Sequence, residues 1–550
     1  MHHGVSRQIL PSLINRTSII RLSLSAPRLS YAPRRFMASS ANPKPLTKRA
    51  VAGSFLFKYE GDEADGSQKV KVALFRRSEK VRTYQHKYAP LSGSVEESDA
   101  SPLATALREI NEETTLPASS LQLLRVGKPY SFVDDDINRE WQINPFGFRL
   151  KGVHEGGVGE EGIKLDWEHE GWEWFDPADV IRRDGEGGVP KLANSLRRVW
   201  PEGDLGPEAG KVLNVGLREL AEDRESGARE LAIVGVQTLR DVIERLGTTK
   251  GVGEDWWSVV RMSAWHICQA RPAMGSAITS AVLKALDAVE SIYRIDAPAE
   301  EKIRRILASL DEQLAARTDA AQLIRKSFSS YLIKHMIELR RLADSRLSIL
   351  TLSSSSTIVK CLERITQELG IKLDIRILES RPLCEGVTLA SKLAENGDAP
   401  KITIYSDAAV ARAAQGVDLV LLGADRISSQ GDVSNKVGSL PAVLAARHVA
   451  PKAQVVVLSD MDKIAEPQTL DEHHDEENDP SELTNAWNAV KGAREVAKKE
   501  TIVVKNPYFE WVPANLINAY VTEQGTWNVD QISERAQWIA QEKKRLFDGV

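Results

Sequence analysis

With 550 residues, the chain is too long for one hydrophobic core, so two or three domains are expected. The composition, 42% hydrophobic and 27% charged, is ordinary for a globular protein. The net charge of −5 argues against a general nucleic-acid-binding surface. No run of about 18 apolar residues occurs, so no membrane span is predicted. Three cysteines, without a C-x-x-C pair, favour a reducing compartment and exclude a disulfide framework.

The first fifty residues contain no acidic side chain, and the first acid is Glu60. Serine and arginine are frequent there, and the arginines of this stretch include Arg7, Arg16, Arg21, Arg28, Arg34 and Arg35. Such a composition is typical of a mitochondrial transit peptide. Residues 1–45 are therefore predicted to direct mitochondrial import. The alternatives are a disordered tail, or translation from Met37, which would give a cytoplasmic product.

Residues 48–200 are predicted to form one α/β unit. Strand patterns cover Ala50–Tyr59, Lys69–Arg77, Leu121–Val133 and Glu140–Leu150. A late run rich in acids and aromatics, Glu168–Phe175, precedes a short helix predicted at 177–182.

Between the early strands and the later ones, residues 91–116 are predicted to form a loop that leads into a helix. Ser101 suits the N-cap and Pro102 the first helical position. One apolar face then follows at helical spacing, made of Leu103, Leu107 and Ile110.

Three glutamates of this helix lie away from the apolar face. Glu109 is three residues from Glu112 and four from Glu113, so their carboxylates converge on one surface. Like charges at that spacing destabilise a helix unless something neutralises them. A hard divalent cation with oxygen ligands, Mg²⁺ or Mn²⁺, would do so. The alternative is a solvated acidic face.

The same stretch resembles the Nudix box, G-x5-E-x7-R-E-U-x-E-E-x-G-U, in which U is aliphatic. Three departures occur: Asp99 stands for the first Glu, one extra residue precedes Arg108, and Thr115 replaces the second Gly. A left-handed helix end favours glycine, so Thr115 is expected to strain that end. The matching residues are Gly93, Asp99, Arg108, Glu109, Ile110, Glu112, Glu113 and Leu116.

The resemblance implies a Nudix α/β/α fold and metal-dependent cleavage of a nucleoside diphosphate linked to another moiety. Glu109, Glu112 and Glu113 would hold the metal, with Glu112 and Glu109 as catalytic residues. Arg108 is expected to orient a glutamate through a salt bridge. Glu170 is a candidate further metal ligand or base, and the alternative for Glu170 is a surface acid.

A stretch rich in Gly, Pro and charge, residues 183–210, is predicted to hold the domain boundary. Beyond it, residues 207–346 are predicted to form a helical layer. Its amphipathic segments are Glu230–Leu246, Trp256–Ala270, Gly275–Tyr293 and Ala299–Ala343.

From residue 347 to 550, short apolar strands alternate with helical segments, which predicts a parallel, Rossmann-like sheet. The predicted strands are Leu347–Leu352, Leu373–Leu378, Ile402–Tyr405, Leu419–Gly423 and Val455–Ser459. Polar motifs are placed at the carboxyl ends of these strands, where such sheets bind ligands. The motifs are S-S-S-S-T from Ser353, E-S-R-P-L-C-E-G from Glu379, G-A-D-R from Gly423 and G-D-V-S-N-K-V-G from Gly431.

Residues 207–550 resemble the family of the α, β and δ regulatory subunits of translation initiation factor 2B. That family also contains methylthioribose-1-phosphate isomerase and ribose-1,5-bisphosphate isomerase. The resemblance is carried by A-R-P from Ala270, the long signature G-A-D-R-I-x3-G-D-V-x-N-K-x-G, and N-P-Y-F-E-W-V-P from Asn506.

The resemblance implies which residues form the second site. Asp425 matches an aspartate that acts with a cysteine in the isomerases, but the place of that cysteine is taken by Ser353. Glu385 likewise takes the place of a glutamine of the isomerases. In both positions the chain resembles the regulatory subunits rather than the isomerases. Asp425 is a candidate catalytic residue, with a buried aspartate bonded to loop amides as the alternative. The predicted substrate-binding residues are Arg271, Ser353, Arg381, Glu385, Asn435 and Lys436.

Two further groups contain residue types that can bind metals or act as nucleophiles. The cysteines Cys268, Cys361 and Cys384 are expected to be small buried residues. The acidic run Asp471–Asp479, which contains His473 and His474, is expected to be a solvated insertion.

Three functional hypotheses follow. The first is a bifunctional protein, in which a Nudix hydrolase is joined to a domain that binds a sugar phosphate or a nucleotide. The second is an active aldose-1-phosphate isomerase in the C-terminal half, and the third a non-catalytic regulatory subunit of translation initiation. The expected partners are a small phosphorylated molecule and a second copy of the chain, with no direct nucleic acid and no membrane.

Overall fold

The computed structural model describes most of the chain after residue 45. The described ranges are 46–61, 69–223, 226–249, 251–253, 255–272, 275–338, 346–395, 400–467, 478–487 and 491–550, without 493–494, 497–498 and 500. The predicted transit peptide and most of the acidic run with its two histidines lie outside the described residues. Thr47–Val550 forms one compact unit.

The N-terminal domain is built on an eight-stranded mixed sheet. Its strands are β1 (Thr47–Glu60), β2 (Lys69–Arg77), β3 (Tyr88–Ala89), β4 (Leu91–Ser94), β5 (Leu121–Val126), β6 (Tyr130–Asp134), β7 (Arg139–Leu150) and β8 (His169–Phe175). The strand predicted over 121–133 is thus two strands, because Gly127 and Pro129 interrupt the pattern. The other predicted strands of this domain are confirmed within a few residues.

The sheet places the predicted loop and helix at its centre. Strand β1 pairs in parallel with β7 and antiparallel with β2 and β4. Helix α1 (Pro102–Thr114) follows β4 directly and packs on the sheet. Ile110 is fully buried in the core between them, and the other two residues of the apolar face, Leu103 and Leu107, pack against that core.

A helical layer follows the first sheet. The first two helices after the sheet, α2 (Pro177–Arg182) and α3 (Leu192–Arg197), pack against β1 and β2 and belong to the N-terminal domain. The layer itself consists of α4 (Glu202–Leu205), α5 (Pro207–Glu222), α6 (Ala228–Thr249), α7 (Trp256–Gln269), α8 (Gly275–Tyr293) and α9 (Ala299–Glu338). The region predicted as the domain boundary, residues 183–210, therefore contains two short helices, α3 and α4. The sequence did not predict them because the region is rich in Gly and Pro, which usually indicate loops.

The second sheet has seven strands in the order β11-β10-β9-β12-β15-β17-β18, parallel except for β18. They are β9 (Arg346–Leu352), β10 (Lys372–Leu378), β11 (Lys401–Tyr405), β12 (Leu419–Leu422), β15 (Gln454–Leu458), β17 (Ala519–Thr522) and β18 (Gly525–Trp527). The flanking helices are α10 (Ser356–Leu369), α11 (Glu385–Ala394), α12 (Val410–Ala413), α13 (Ser439–Val449), α14 (Ser481–Thr484) and α15 (Val529–Phe547). The predicted Rossmann-like fold is confirmed.

One motif lies in a different element from the one predicted. Residues 433–436 of the G-D-V-S-N-K-V-G motif do not form a loop at the end of a sheet strand. They form β14 (Val433–Lys436), which pairs antiparallel with β13 (Arg426–Ile427) and β16 (Phe509–Val512) in a separate three-stranded sheet. Strand β16 follows β14 only after about seventy residues of chain. A local sequence pattern therefore could not predict that the two strands pair.

The helical layer and the second sheet share one hydrophobic core. The cluster runs from Leu213 in α5 through Val282 in α8 to Val457 in β15 and Ile539 in α15. Residues 207–346 and 347–550 therefore fold around a common interior. Polar contacts also tie the first domain to this unit: Trp265 Nε1 donates to the Val126 carbonyl at 3.3 Å, and Arg125 donates to Asn214. Among the described residues, every helix is too short or too polar to span a bilayer.

Candidate functional site

Local sequence sets both ends of the helix that carries the glutamates. The Ser101 hydroxyl accepts a hydrogen bond from the Ala104 N–H at 3.2 Å, and Pro102 occupies the first turn. The helix ends at Thr115, whose φ is 60°, in the left-handed region. The expected strain at this residue is confirmed, because a β-branched side chain rarely adopts that backbone conformation.

Arg108 is the hub of the first site. Its guanidinium contacts Asp99 at 3.0 Å, Glu109 at 2.8 Å and Glu112 at 3.0 Å. Its hydrogen bonds hold the pKa of the Asp99 carboxyl well below the usual range. The predicted salt bridge between Arg108 and a glutamate is present, and Asp99 anchors the other side of the guanidinium. The one-residue insertion is accommodated in the loop between β4 and α1.

Glu109 lies against the backbone of Gly93. A Cβ at Gly93 would lie 1.8 Å from the Glu109 Cδ and 1.9 Å from its Oε1, closer than any real contact. Glycine is therefore required here for close approach, not for an unusual backbone angle. Desolvation by burial raises the pKa of Glu109, against the lowering effect of Arg108.

Glu113 faces inward, and a loop before β8 brings further acids beside it. The Glu113 side chain is only 5% exposed, and burial raises its pKa well above the ordinary value, with the charges of Glu109 and Glu168 adding to the shift. The N–H of Asp166 donates to the Glu113 carbonyl at 3.2 Å, which fixes the loop to the end of α1. The His169 ring lies 3.5 Å from the Asp166 carboxylate and 4.0 Å from that of Glu113.

Glu168, rather than Glu170, belongs to the carboxylate cluster. Glu170 pairs with Arg76 at 2.9 Å and lies 3.1 Å from the His86 ring, so it acts as a surface acid. Burial and the charge of Asp166 raise the pKa of Glu168. The two side chains are separated because Glu170 lies in β8, whereas Glu168 ends the loop that is bound to α1. The sequence signal that could have found Glu168 is its place at the last loop residue before the strand.

The cluster fits a hard divalent cation by its chemistry. It offers only carboxylate oxygens as ligands, and burial raises the pKa values of Glu109, Glu113 and Glu168, a shift that a bound cation would oppose. Within the described ranges, no three potential ligands converge tightly enough to enclose an ion. Arg108 holds two of the carboxylates instead, but Glu112 is 57% exposed, and such an exposed ion pair is weak.

A group of arginines adjoins the carboxylates. The pKa of Arg49 is lowered by burial and by the charge of Arg139, with Arg77 adding to the effect. The same guanidinium interacts favourably with Glu109 and Glu168. Positive and negative charges thus lie side by side, as a site for a metal-bound phosphate needs.

The second candidate site lies at the carboxyl ends of β9 and β10. Ser353 has a φ of 62°, and its N–H donates to the Ser380 hydroxyl at 2.8 Å. The N–H groups of Ser380 and Arg381 donate to the two oxygens of Asp407, at 2.9 and 2.8 Å. These bonds hold the serine-rich loop and the Arg381 loop against each other. The buried Nε of Arg381 has no hydrogen-bond partner among the described residues.

In this site, the Asp425 carboxyl interacts electrostatically with two lysines. Burial of its carboxyl raises the pKa, and the charges of Lys463 and Lys436 oppose the shift. Lys436 is itself buried, lies 3.0 Å from the Glu385 carboxylate and stands over the Tyr508 ring at 4.2 Å. The sequence did not indicate Lys463, whose ammonium donates to the Ala424 carbonyl.

The remaining predicted residues occupy defined positions. Asn435 donates to the Ser439 hydroxyl at 2.8 Å, and a Cβ at Gly423 would lie 3.5 Å from its Oδ1. Arg271 is buried after α7 in the helical layer and donates to the Asp223 carbonyl. Of the other five predicted binding residues, Ser353 and Arg381 lie in loops after β9 and β10, and Glu385 begins α11. Asn435 and Lys436 lie in β14 of the three-stranded sheet, whereas Arg271 comes from the helical layer.

Two of the three cysteines are buried. Cys268 and Cys361 are buried, and burial raises the pKa of both thiols to about 12. Cys384 is half-buried, and its thiol lies 3.8 Å from the Pro382 carbonyl. The expectation of small buried residues is confirmed for the first two.

Two sequence profiles match the chain. The profile of the NUDIX domain matches residues 62–196. The profile of the initiation factor 2 subunit family matches residues 224–529, which is more than half of the chain.

Curated relatives match the C-terminal part. A probable bifunctional methylthioribose-1-phosphate isomerase/methylthioribulose-1-phosphate dehydratase of Nocardia farcinica is 30% identical over 297 residues, which cover 52% of this chain and 46% of that protein. The methylthioribose-1-phosphate isomerase of Syntrophotalea carbinolica is 36% identical over 172 residues, which cover 31% of this chain and 47% of that protein. The chain thus spans about half the length of these relatives.

Among solved structures, eIF2B beta from Chaetomium thermophilum matches with a TM-score of 0.43 and 16% identity, covering 60% of this chain and 91% of that one. The 5-methylthioribose 1-phosphate isomerase from Pyrococcus horikoshii OT3 matches with a TM-score of 0.43 and 18% identity, covering 60% of this chain and 87% of that one. On the profile matches, the chain belongs to the initiation factor 2 subunit family and carries a Nudix domain in front of it.

Proposed function

We propose that the chain is a bifunctional protein. Its Nudix domain is a metal-dependent pyrophosphohydrolase of a nucleoside diphosphate linked to another moiety. Its C-terminal domain binds a sugar phosphate or a nucleotide. The observation that carries the hydrolase proposal is the carboxylate cluster of Glu109, Glu113 and Glu168, whose raised pKa values call for a cation.

The cation expected there is Mg²⁺ or Mn²⁺, held by Glu109, Glu112 and Glu113. When bound, it supplies charge neutralisation and a more acidic water. Arg108 orients Glu109 and Glu112 through its two ion pairs. Glu168, half-buried and already raised in pKa, is placed to accept a proton from the attacking water. Arg49 offers positive charge to the diphosphate beside these acids.

The test is hydrolysis of a panel of nucleoside diphosphate derivatives by the full chain with Mg²⁺. The variants are Glu109→Gln and Glu112→Gln, and Glu170→Gln is the matched control because that glutamate pairs with Arg76 outside the cluster. We expect a loss of at least about a hundredfold in the first two variants and little change in the control. Equal product from Glu112→Gln and the unaltered protein would rule out the hydrolase proposal.

For the C-terminal domain, the proposed ligand follows from the charges around Asp425. Lys436 and Lys463 both act on its carboxyl, and main-chain bonds hold Arg381 beside the serine-rich loop. Buried cations beside a loop rich in hydroxyl groups favour a phosphorylated ligand. Asn435 and Glu385 supply the polar groups that would orient its hydroxyls.

A second candidate function for this domain is an aldose-1-phosphate isomerase. It is favoured by the names of the two curated relatives and by Asp425, whose pKa is raised as a proton-transfer group requires. Ser353 offers a hydroxyl, which is far less acidic than a thiol, so Asp425 would have to transfer the proton without a cysteine. A non-catalytic regulatory subunit is the outcome if neither activity is found.

The isomerase candidate is tested with methylthioribose 1-phosphate and ribose 1,5-bisphosphate. Ketose formation that Asp425→Asn abolishes would establish it. Ligand binding without ketose formation would leave the domain as a binding module. We further propose a homodimer formed through the C-terminal domain, for which sedimentation at two protein concentrations is the measurement.

A further inference from the structure

A cavity lies beside the proposed sugar-phosphate site. Its volume is about 490 Å³, enough for a small metabolite. Helices α6, α8, α9 and α15 form its walls together with the loops that follow β15 and β17. The predicted binding residues Ser353, Arg381 and Lys436 are not part of its lining, so it is a separate site.

The lining is strongly charged but mostly paired. Arg229 makes a buried ion pair with Asp460, with two nitrogens within 3.1 Å of the carboxylate. Asp462 accepts from the Ser280 hydroxyl at 3.0 Å and lies 3.3 Å from Arg317 Nε. These pairs hold the shape of the cavity, and they leave few of their polar atoms for a ligand.

Four other polar groups of the lining have unmet capacity among the described residues. The Gln313 Oε1 and the Arg535 Nε are buried without a hydrogen-bond partner. The Glu523 carboxyl accepts the N–H of Met461 at 3.2 Å and its own backbone N–H, but no side-chain donor is found for it among the described residues. Burial raises its pKa to about 7, and the repulsion of Asp460 adds to the shift. Lys284 places an exposed ammonium in the lining.

These groups would be satisfied by a ligand that both donates and accepts hydrogen bonds. A buried donor, a buried acceptor and a carboxyl that titrates near neutrality are all satisfied by hydroxyl groups, which do both. Lys284 adds an uncompensated positive charge for one anionic group. The Trp538 ring, over which Arg535 lies at 4.0 Å, adds an apolar surface to the wall.

Two contacts join the cavity to the proposed sugar-phosphate site. Arg229, besides its ion pair, donates to the Thr357 hydroxyl at 2.8 Å in the first turn of α10, directly after the serine-rich loop. Lys463 lines the cavity and donates to the carbonyl of Ala424, the residue before Asp425. A ligand that moved either side chain would change loops of the neighbouring site.

From this cavity, its unsatisfied polar groups and its two links, we propose an effector site for a small polyol that carries one anionic group, a sugar phosphate or a sugar acid. The site is distinct from the one proposed around Asp425. Its ligand regulates the C-terminal domain through Arg229 and Lys463.

The test is calorimetric titration of the full chain with ribose 5-phosphate, glucose 6-phosphate, gluconate and glucuronate. Ribose and glucose serve as the neutral halves of these ligands, inorganic phosphate as the anionic half of the sugar phosphates, and acetate as the anionic half of the sugar acids. At least one anionic polyol is expected to bind about tenfold or more tightly than either of its halves. If no member of the panel exceeds its halves, the proposal fails. Preference for the phosphates or for the acids identifies the source of the anionic group.

Variants assign the binding to this cavity. Gln313→Leu removes the buried acceptor and is expected to weaken binding about tenfold, whereas Gln322→Leu, on the exposed face of the same helix, leaves it unchanged. Lys284→Met, at an exposed position that folding does not need, is expected to weaken the anionic ligands and not the neutral sugars. Binding that Lys436→Met abolishes and Gln313→Leu does not affect would belong to the site around Asp425 and would overturn the proposal. That result would leave the functions proposed for both domains intact.

Discussion

At the scale of single residues, the absence of a Cβ at Gly93 leaves the space that the Glu109 carboxylate occupies. Gly93→Ala would place a methyl group 1.8 Å from the Glu109 carboxyl carbon and displace that carboxylate. We expect Mn²⁺ affinity, measured by electron paramagnetic resonance, and hydrolysis to fall by about a hundredfold, because a misplacement of about 1 Å is costly.

Gly171→Ala is the control for this prediction, since nothing lies within 4 Å of a Cβ added there. The two variants share the domain and the chemical change, and they differ only in the neighbour of the new methyl group. Equal Mn²⁺ affinity in both would contradict the assignment of Glu109 as a metal ligand.

Glu523 predicts a pH dependence of stability. Burial raises the pKa of its carboxyl from 4.5 to about 7, with the charges of Asp460 and Asp462 adding to the shift. The folded state therefore binds the proton more tightly than the unfolded state. The unfolding free energy should fall between about pH 4.5 and 7, by roughly 3 kcal/mol from this group. Arg229 and Arg535, which also interact with this carboxyl, oppose the shift.

Glu523→Gln keeps the shape and removes the titration. We expect the variant to be more stable than the unaltered protein above pH 7 and to lose this part of the pH dependence, as measured by urea unfolding at several pH values. Parallel pH profiles for the two proteins would contradict a raised pKa at this position.

At the scale of elements, the C-terminal end of α1 has the backbone strain that the sequence predicted at Thr115. Thr115 has a φ of 60° where glycine has no steric cost. Thr115→Gly should raise the unfolding free energy by about 1 kcal/mol, and Thr115→Ala, which keeps a Cβ in the left-handed region, should gain less. Denaturant titration of the three proteins measures the difference, and a destabilised Thr115→Gly would contradict this account.

At the scale of the whole molecule, the two domains share polar contacts rather than a flexible linker. Arg125 donates to Asn214, lies 3.6 Å from Glu202, and sits beside the bond from Trp265 to Val126. The two domains should therefore unfold in one calorimetric transition. Arg125→Met leaves buried partners unsatisfied and should lower the stability by about 1–3 kcal/mol and broaden or split the transition. Two well-separated transitions in the unaltered protein would contradict the coupling.

The targeting role of residues 1–45 is a prediction from composition alone. Residues 1–45 fused to a fluorescent reporter should direct it to mitochondria, because the stretch is rich in arginine and free of acids. A chain that begins at Met37 should give a diffuse cytoplasmic signal. Diffuse signal from the longer fusion would end the import hypothesis.

Much of the architecture was readable in the sequence because it depends on local period and composition. Spacing along the chain predicts the helix at 102–114 and the parallel strands from residue 346. It also predicts that the carboxylates of Glu109, Glu112 and Glu113 lie on one surface of that helix. Arg108 could likewise be assigned to Glu112, since residues four apart on a helix are neighbours on its surface.

Only the tertiary structure decided which distant groups meet. Glu168 joins the glutamates because a loop bonds to the end of α1, and β14 pairs with β16 from far along the chain. The charged cavity exists only where helices from four places in the sequence enclose the ends of β15 and β17. Local pattern records propensity and the face of one element, whereas contacts between distant elements depend on how the whole chain packs.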